Sequence, residues 1–222
     1  EGQVESLCPI EAEFGKPQWV FGMSTYAFES PHRIVCSYTQ QGTWHLALLD
    51  TTTGQLELLE APYTVISDVR ATPNRVVFIG GSPTEPLSVV LLDLATRQIS
   101  VLRRTHNIAM DAGYLSIPQA IEFPTEHGMT AFAFYYPPQN RDYAASPGEM
   151  PPLLVESHGG ATGATSSALS WDVQYWTSRG IAVLDVNYGG STGRGRAYRQ
   201  RLNGQWGIVD VDDCVNGARH VV

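Results

Sequence analysis

The chain has 222 residues, 43% of them hydrophobic and 16% charged, which supports a packed core and excludes a disordered chain. Its formal net charge of -8 and pI of about 5.1, with arginines and histidines scattered rather than striped, exclude nucleic acid and an anionic membrane surface as partners. Three cysteines, Cys8, Cys36 and Cys214, are far apart and odd in number, with no CxxC spacing. A disulfide framework is therefore not expected, and a reducing, cytoplasmic home is. No apolar stretch reaches the length of a bilayer span. The start, Glu1-Gly2-Gln3-Val4-Glu5, is acidic, lacks a signal-peptide pattern and has no initiator Met, as expected of a processed or cut end.

The first half reads as short strands. Residues 19–28, 33–38, 45–49 and 55–59 form one set of four, and 64–69, 75–79, 88–92 and 98–102 form a second. Gly, Pro, Asn, Asp and Thr mark the turns between them. The segment from Leu46 to Leu56 aligns with that from Val89 to Ile99, an offset of 43 residues. Four strands repeating every ~40–45 residues is the pattern of propeller blades. Two blades alone leave broad apolar faces open, and propellers have roughly 4–8. The expectation is a β-propeller cut on its N-terminal side; the alternative is a two-sheet sandwich.

The pattern changes after Arg104. Residues 105–117 read as an irregular linker, then 119–123 and 129–136 as a hairpin around 124–128. A Pro-rich loop over 137–152 leads to the apolar run Leu153-Leu154-Val155, which suits a buried parallel strand. A helix over 171–179, ended by Gly180, and a strand over 181–188 complete a βαβ unit, so a parallel sheet is expected. Residues 196–202 and 211–222 read as helices, the second opened by Asp210 with Asp213 three residues on, a capping arrangement.

His158-Gly159-Gly160 directly follows the buried strand. At that place in an α/β-hydrolase, a HGG-type loop brings backbone N–H groups to the oxyanion, and glycine permits the close approach. The alternative is a turn beside a structural histidine. Gly189-Gly190-Ser191-Thr192-Gly193 matches the G-x-S-x-G nucleophile elbow and lies between a strand and a helix. Against it, the acid and histidine follow the serine on this fold, and the short helical stretch after Ser191 does not supply two further strands. The six histidines form no HxxxH or HExxH pair, and there is no GxxxxGK[ST] or GxGxxG loop, so neither a metal nor a nucleotide cofactor is expected.

Taken together, residues 157–163, 174–180, 185–193 and 204–213 resemble the prolyl oligopeptidase family, in particular its acylaminoacyl-peptidase and dipeptidyl-aminopeptidase types. Residues 18–150 fit more loosely. The resemblance implies all-β propeller blades followed by the N-terminal part of an α/β-hydrolase domain, hydrolysis of short peptides, and a Ser-Asp-His triad downstream of Val222, so no catalytic triad residue is assigned within the chain. It puts His158, Gly159 and Gly160 on the oxyanion and substrate side, with the amides of the two glycines as donors and His158 in support. Relatives often carry Pro at the position of Ala161 and Tyr at that of Arg194; an arginine there either contacts substrate or a neighbouring acid, or is simply solvated.

These readings give a domain division of 1–108, propeller blades, and 109–222, the hydrolase part truncated before its nucleophile elbow. The first functional expectation is part of a serine oligopeptidase, itself inactive. The rivals are a noncatalytic binding module and a small hydrolase using Ser191. The expected partners are short peptides, and unpaired sheet edges point to self-association as a homo-oligomer.

Overall fold

A computed structural model describes residues 4–108 and 110–222. Residues 1–3, part of the acidic start, and Ala109, which opens the expected second domain, lie outside the described residues. The chain divides into two compact units, with the break after His106.

The first unit holds two four-stranded antiparallel meanders. One is β1 (Tyr26–Ser30), β2 (Arg33–Gln40), β3 (Thr43–Asp50) and β4 (Leu56–Leu59). The other is β5 (Val65–Thr72), β6 (Arg75–Ser82), β7 (Glu85–Asp93) and β8 (Ile99–Arg104). Each strand pairs with its sequence neighbour, as in a propeller blade. Because side chains alternate, the first sheet turns Val35, Leu46, Leu48 and Leu59 into one core with Ile66, Val69, Val76, Phe78, Val90 and Leu92 of the second. Its other face carries Cys36, Tyr38, Ala47 and Leu49, against which Cys8, Ala12 and Phe14 of the N-terminal segment pack.

The 43-residue repeat is exact to the hydrogen bond at one turn. Asp50 accepts from the amides of Thr52 and Thr53 at 2.8 and 3.0 Å, and Asp93 accepts from those of Ala95 and Thr96 at 3.0 and 2.9 Å. The residue closing each turn is left-handed, Gly54 at φ 70° and Arg97 at φ 61°. This is an Asx turn used twice, and it explains why the alignment of the two segments holds. The first expected strand is shorter than its sequence suggests. Gly22, at φ 84°, turns the chain, and Trp19, Val20 and Phe21 ahead of it are exposed rather than paired.

The second unit contains β9 (Gln119–Pro124), β10 (Thr130–Tyr136), β11 (Leu153–Ser157), α1 (Trp171–Thr177), β12 (Ala182–Asn187), α2 (Arg196–Gln200) and α3 (Val209–Val221). The sheet order is β11-β12-β10-β9. Strands β11 and β12 are parallel, joined through α1 as the βαβ pattern requires, but β10 and β9 add antiparallel strands on the other side of β12. The sheet is therefore mixed, because the β9–β10 hairpin keeps its local antiparallel pairing when β12 docks beside it. One face, Phe123, Ala131, Ala133, Leu184 and Val186, packs with Val209, Cys214 and Val221 of α3. There Gly217 lets α3 approach closely, since a Cβ would meet Phe123 and Leu184 at 3.0 and 3.1 Å. The opposite face places Tyr136 and Val183 against Val173 of α1.

The segment entering this sheet is tied down within its own unit. Buried Gln174 of α1 accepts from the Ser116 amide at 2.8 Å and donates to the Ser116 carbonyl at 3.0 Å. Arg141 pairs with Asp111 and Asp142, and its guanidinium lies over the Tyr114 ring. Among the described residues no helix is long and apolar enough to cross a membrane, and no group of three or more His, Cys, Asp or Glu is placed to hold a metal ion.

Candidate active-site loop

Both loops singled out in the sequence leave the carboxyl ends of the two parallel strands, the place where open α/β sheets bind ligands. Residues 158–163 follow β11 and residues 188–195 follow β12. They are fastened to one another. The Thr192 amide donates to the Gly163 carbonyl at 2.9 Å, and its hydroxyl donates to the Thr162 carbonyl at 2.7 Å. Gly190 sits so close that a Cβ would meet the Leu202 side chain at 2.8 Å and the Ala161 carbonyl at 3.1 Å.

His158 stacks on Tyr188, with ring centroids 4.3 Å apart. Its Nε2 lies 2.6 Å from the hydroxyl of Ser191. The Tyr188 hydroxyl stands 3.2 Å from the His158 carbonyl and 3.1 Å from the Gly160 carbonyl, sharing its single proton between them. These contacts fix how the loop's peptide planes face. In a trans peptide the carbonyl of one residue and the N–H of the next point in opposite directions. With the His158 carbonyl turned toward Tyr188, the Gly159 N–H points away from it. With the Gly159 carbonyl 3.3 Å from His158 Nδ1, the Gly160 N–H points away from the imidazole. Gly160 adopts φ 75°, a conformation that favours glycine, and both glycines are exposed with open space where a Gly159 Cβ would stand. Burial pulls the His158 pKa below its ordinary value, so the ring is neutral at neutral pH.

Ser191 is fully buried, at 0% exposure. Its hydroxyl donates to the Tyr188 carbonyl at 2.8 Å. His158 Nε2 is the second polar neighbour of that hydroxyl, and which of the two atoms carries the proton between them follows the imidazole tautomer. A serine nucleophile needs access to substrate, which the fully buried Ser191 lacks. The neighbours of His158 Nδ1 are the Tyr188 hydroxyl and the Gly159 carbonyl, neither of them the carboxylate that orients a catalytic histidine. The G-x-S-x-G match therefore marks a brace for His158, and the geometry opposes Ser191 as a nucleophile.

Three more residues differ from their sequence reading. Arg194 is half-buried and stacks over Phe132 of β10 at 3.7 Å, so it is not a solvated loop residue. Burial lowers its pKa, and Glu122 is the nearby acid that opposes this. Asp210 falls inside the first turn of α3 and accepts from the Gly207 amide at 2.7 Å rather than capping from outside. Asp213 turns inward, 2% exposed, and accepts from the Thr125 hydroxyl at 2.5 Å and the Gly189 amide at 2.7 Å. It thereby pins the start of the glycine loop to the β9–β10 turn.

Sequence reasoning missed Tyr188, whose ring and hydroxyl support the loop, because a tyrosine at the end of an apolar strand reads as core. It also missed the acidic pair on the α1 face. Asp185 of β12 lies in register beside Glu156 of β11 and takes a hydrogen bond from the Thr165 hydroxyl. Burial pushes the Asp185 pKa up to about 6, and that of Glu156 is also raised, by burial and then by Asp172. The available signal was a carboxylate set inside an otherwise apolar strand.

Against known proteins, the sequence profile of the prolyl oligopeptidase family matches residues 167–222. A puromycin-hydrolyzing peptidase of Mycobacterium tuberculosis superposes with a TM-score of 0.93 over 97% of the chain at 42% identity. Residues 167–222 thus carry the prolyl oligopeptidase profile, and over nearly its whole length the chain is similar to this peptidase. A second structure, a puromycin hydrolase, matches 99% of the chain at 38% identity with a TM-score of 0.92. The acylamino-acid-releasing enzyme of Arabidopsis thaliana is 35% identical over 75 residues, 34% of the chain and 10% of that enzyme. The chain spans about a third of the length of the two matched structures, 33% of each. These similarities agree with the two blade-like meanders followed by the mixed sheet.

Proposed function

We propose that these 222 residues supply propeller blades and the oxyanion side of a serine peptidase that hydrolyses short peptides in the cytoplasm, and that its nucleophile lies outside them. The observation that carries this reading is the His158–Gly160 loop at the end of β11, held by Tyr188 and Ser191 with the Gly159 and Gly160 N–H groups turned away from their supports. Preorganised amides of this kind stabilise the tetrahedral oxyanion of acyl transfer, and losing one such donor costs roughly 10²–10³ in kcat. His158, neutral and engaged through Nε2, acts as the loop's organiser and not as the general base. Two similar proteins, a puromycin-hydrolyzing peptidase and an acylamino-acid-releasing enzyme, support the peptide substrate class. The division into propeller blades over 1–108 and hydrolase part over 109–222 belongs to the same proposal, as does self-association into a homo-oligomer through open sheet edges.

The test is labelling with a fluorophosphonate probe, read by intact mass and peptide mapping. The 222-residue chain is expected to remain unlabelled while a full-length protein containing it is labelled at a serine outside it. An adduct at Ser191 would overturn the reading. In the full-length protein, Ser191→Ala is expected to keep the label and lower kcat about tenfold, since a brace is weakened and no nucleophile is lost. Complete loss of labelling in that variant, with the fold intact, would count against the brace.

A further inference from the structure

Cys8 and Cys36 have no part in the loop chemistry, and their placement has a chemistry of its own. The N-terminal segment crosses one face of the first sheet. At one end the Leu7 carbonyl comes within 3.0 Å of where a Cβ on Gly54 would stand, beside the Asp50 turn. At the other end Glu13 and Thr39 exchange two backbone hydrogen bonds of 2.9 Å, and the Gln40 side chain donates to the Glu11 carbonyl at 3.2 Å. Between these moorings Cys8 packs on the cluster of Cys36, Tyr38, Ala47 and Leu49. Cys36, 4% exposed, directs its thiol to the Ala47 carbonyl at 3.7 Å.

We propose that Cys8 and Cys36 form a reversible disulfide when the protein meets a low-molecular-weight disulfide oxidant, locking the N-terminal segment onto the first sheet. The two thiols are free in the structure, as in a reduced protein. Both belong to one apolar cluster on that face of the sheet, Cys8 packing against the buried group that holds Cys36. Burial first, and Cys8 second, push Cys36 up to about 12, so the buried thiol is a poor first nucleophile, whereas Cys8 is half-buried and reachable. The order follows. The Cys8 thiolate attacks one sulfur of the small disulfide, and one small thiolate leaves and takes up a proton. Cys36 then gives up its proton and attacks the Cys8 sulfur, breaking the mixed disulfide and releasing the second small thiol. Two protein thiols are oxidised to one disulfide, and one small disulfide is reduced to two thiols.

The experiment treats the fully reduced chain with oxidised glutathione, quenches in acid, alkylates free thiols and maps peptides without reduction. The expected product is a single cross-link between the Cys8 and Cys36 peptides, with Cys214 of α3 alkylated. Hydrogen exchange over residues 8–14 is expected to slow in the oxidised form and to recover on reduction. Cys36→Ser is expected to accumulate the mixed disulfide at Cys8. A wild-type protein that stops at a Cys8–glutathione adduct, that leaves both thiols alkylated, or that pairs either one with Cys214 would overturn the proposal.

Discussion

At the scale of single residues, two kinds of carboxylate pull stability in opposite directions with pH. Asp185 is protonated more readily in the folded state than its ordinary value of 3.8, because burial raises it to about 6. Its favourable contribution is present below about 4 and is lost as pH rises through about 6, a difference worth about 3 kcal/mol. Asp185→Asn, which keeps an acceptor for Thr165, should therefore raise Tm above pH 6 and leave it unchanged near pH 4. Thermal denaturation at the two pH values checks this; a gain of equal size at both would refute it. Asp50 behaves in the other sense. Hydrogen bonds from the Thr52 side chain and amide hold its pKa down at about 2. Its contribution is present above the usual carboxylate value and is lost as pH falls toward 2, so Asp50→Asn should flatten the acid limb of the stability curve. Asp213→Ala leaves the buried Gly189 N–H and the Thr125 hydroxyl without their acceptor, a loss of about 2–3 kcal/mol in denaturant titrations.

Among the elements, how much could be read beforehand depended on whether the deciding contact was local. The eight strands of the first unit and the β9–β10 hairpin were legible because each pairs with its neighbour across a short turn with its own signal, such as Asp50 or Asp93. The mixed character of the second sheet was not, since nothing near residues 182–187 says that β12 will lie between β10 and β11. The site divides in the same way. The His158–Gly160 loop was legible from its glycines and the strand before it. The brace was not, because Ser191 and His158 are far apart in sequence and a G-x-S-x-G pattern does not say whether its serine is buried. Gln174 is another long-range contact of this type. Its amide matches both backbone groups of Ser116 in a buried setting, so Gln174→Leu should cost about 2–3 kcal/mol by orphaning them. Limited proteolysis should then open the segment around residue 116, and unchanged protection there would count against a tethering role.

On the scale of the whole chain, the two units differ in how far each strand must wait for its partner. In the first unit every pairing joins consecutive strands, and the longest loop between partners is a few residues. In the second unit, among the described residues, β11 pairs with β12 alone, and the loop after β11 together with α1 comes between them. That insertion has a consequence for synthesis. At a translation rate of about 5–20 residues per second, the roughly 30 residues from β11 to the end of β12 take a few seconds to emerge. During that interval the β9–β10 hairpin can already form, while β11 has both edges unpaired and its apolar run open to wrong partners. The polar, proline-containing stretch 137–152 ahead of β11 separates the waiting strand from the finished hairpin, so that the first strand it can profitably meet is the one that follows.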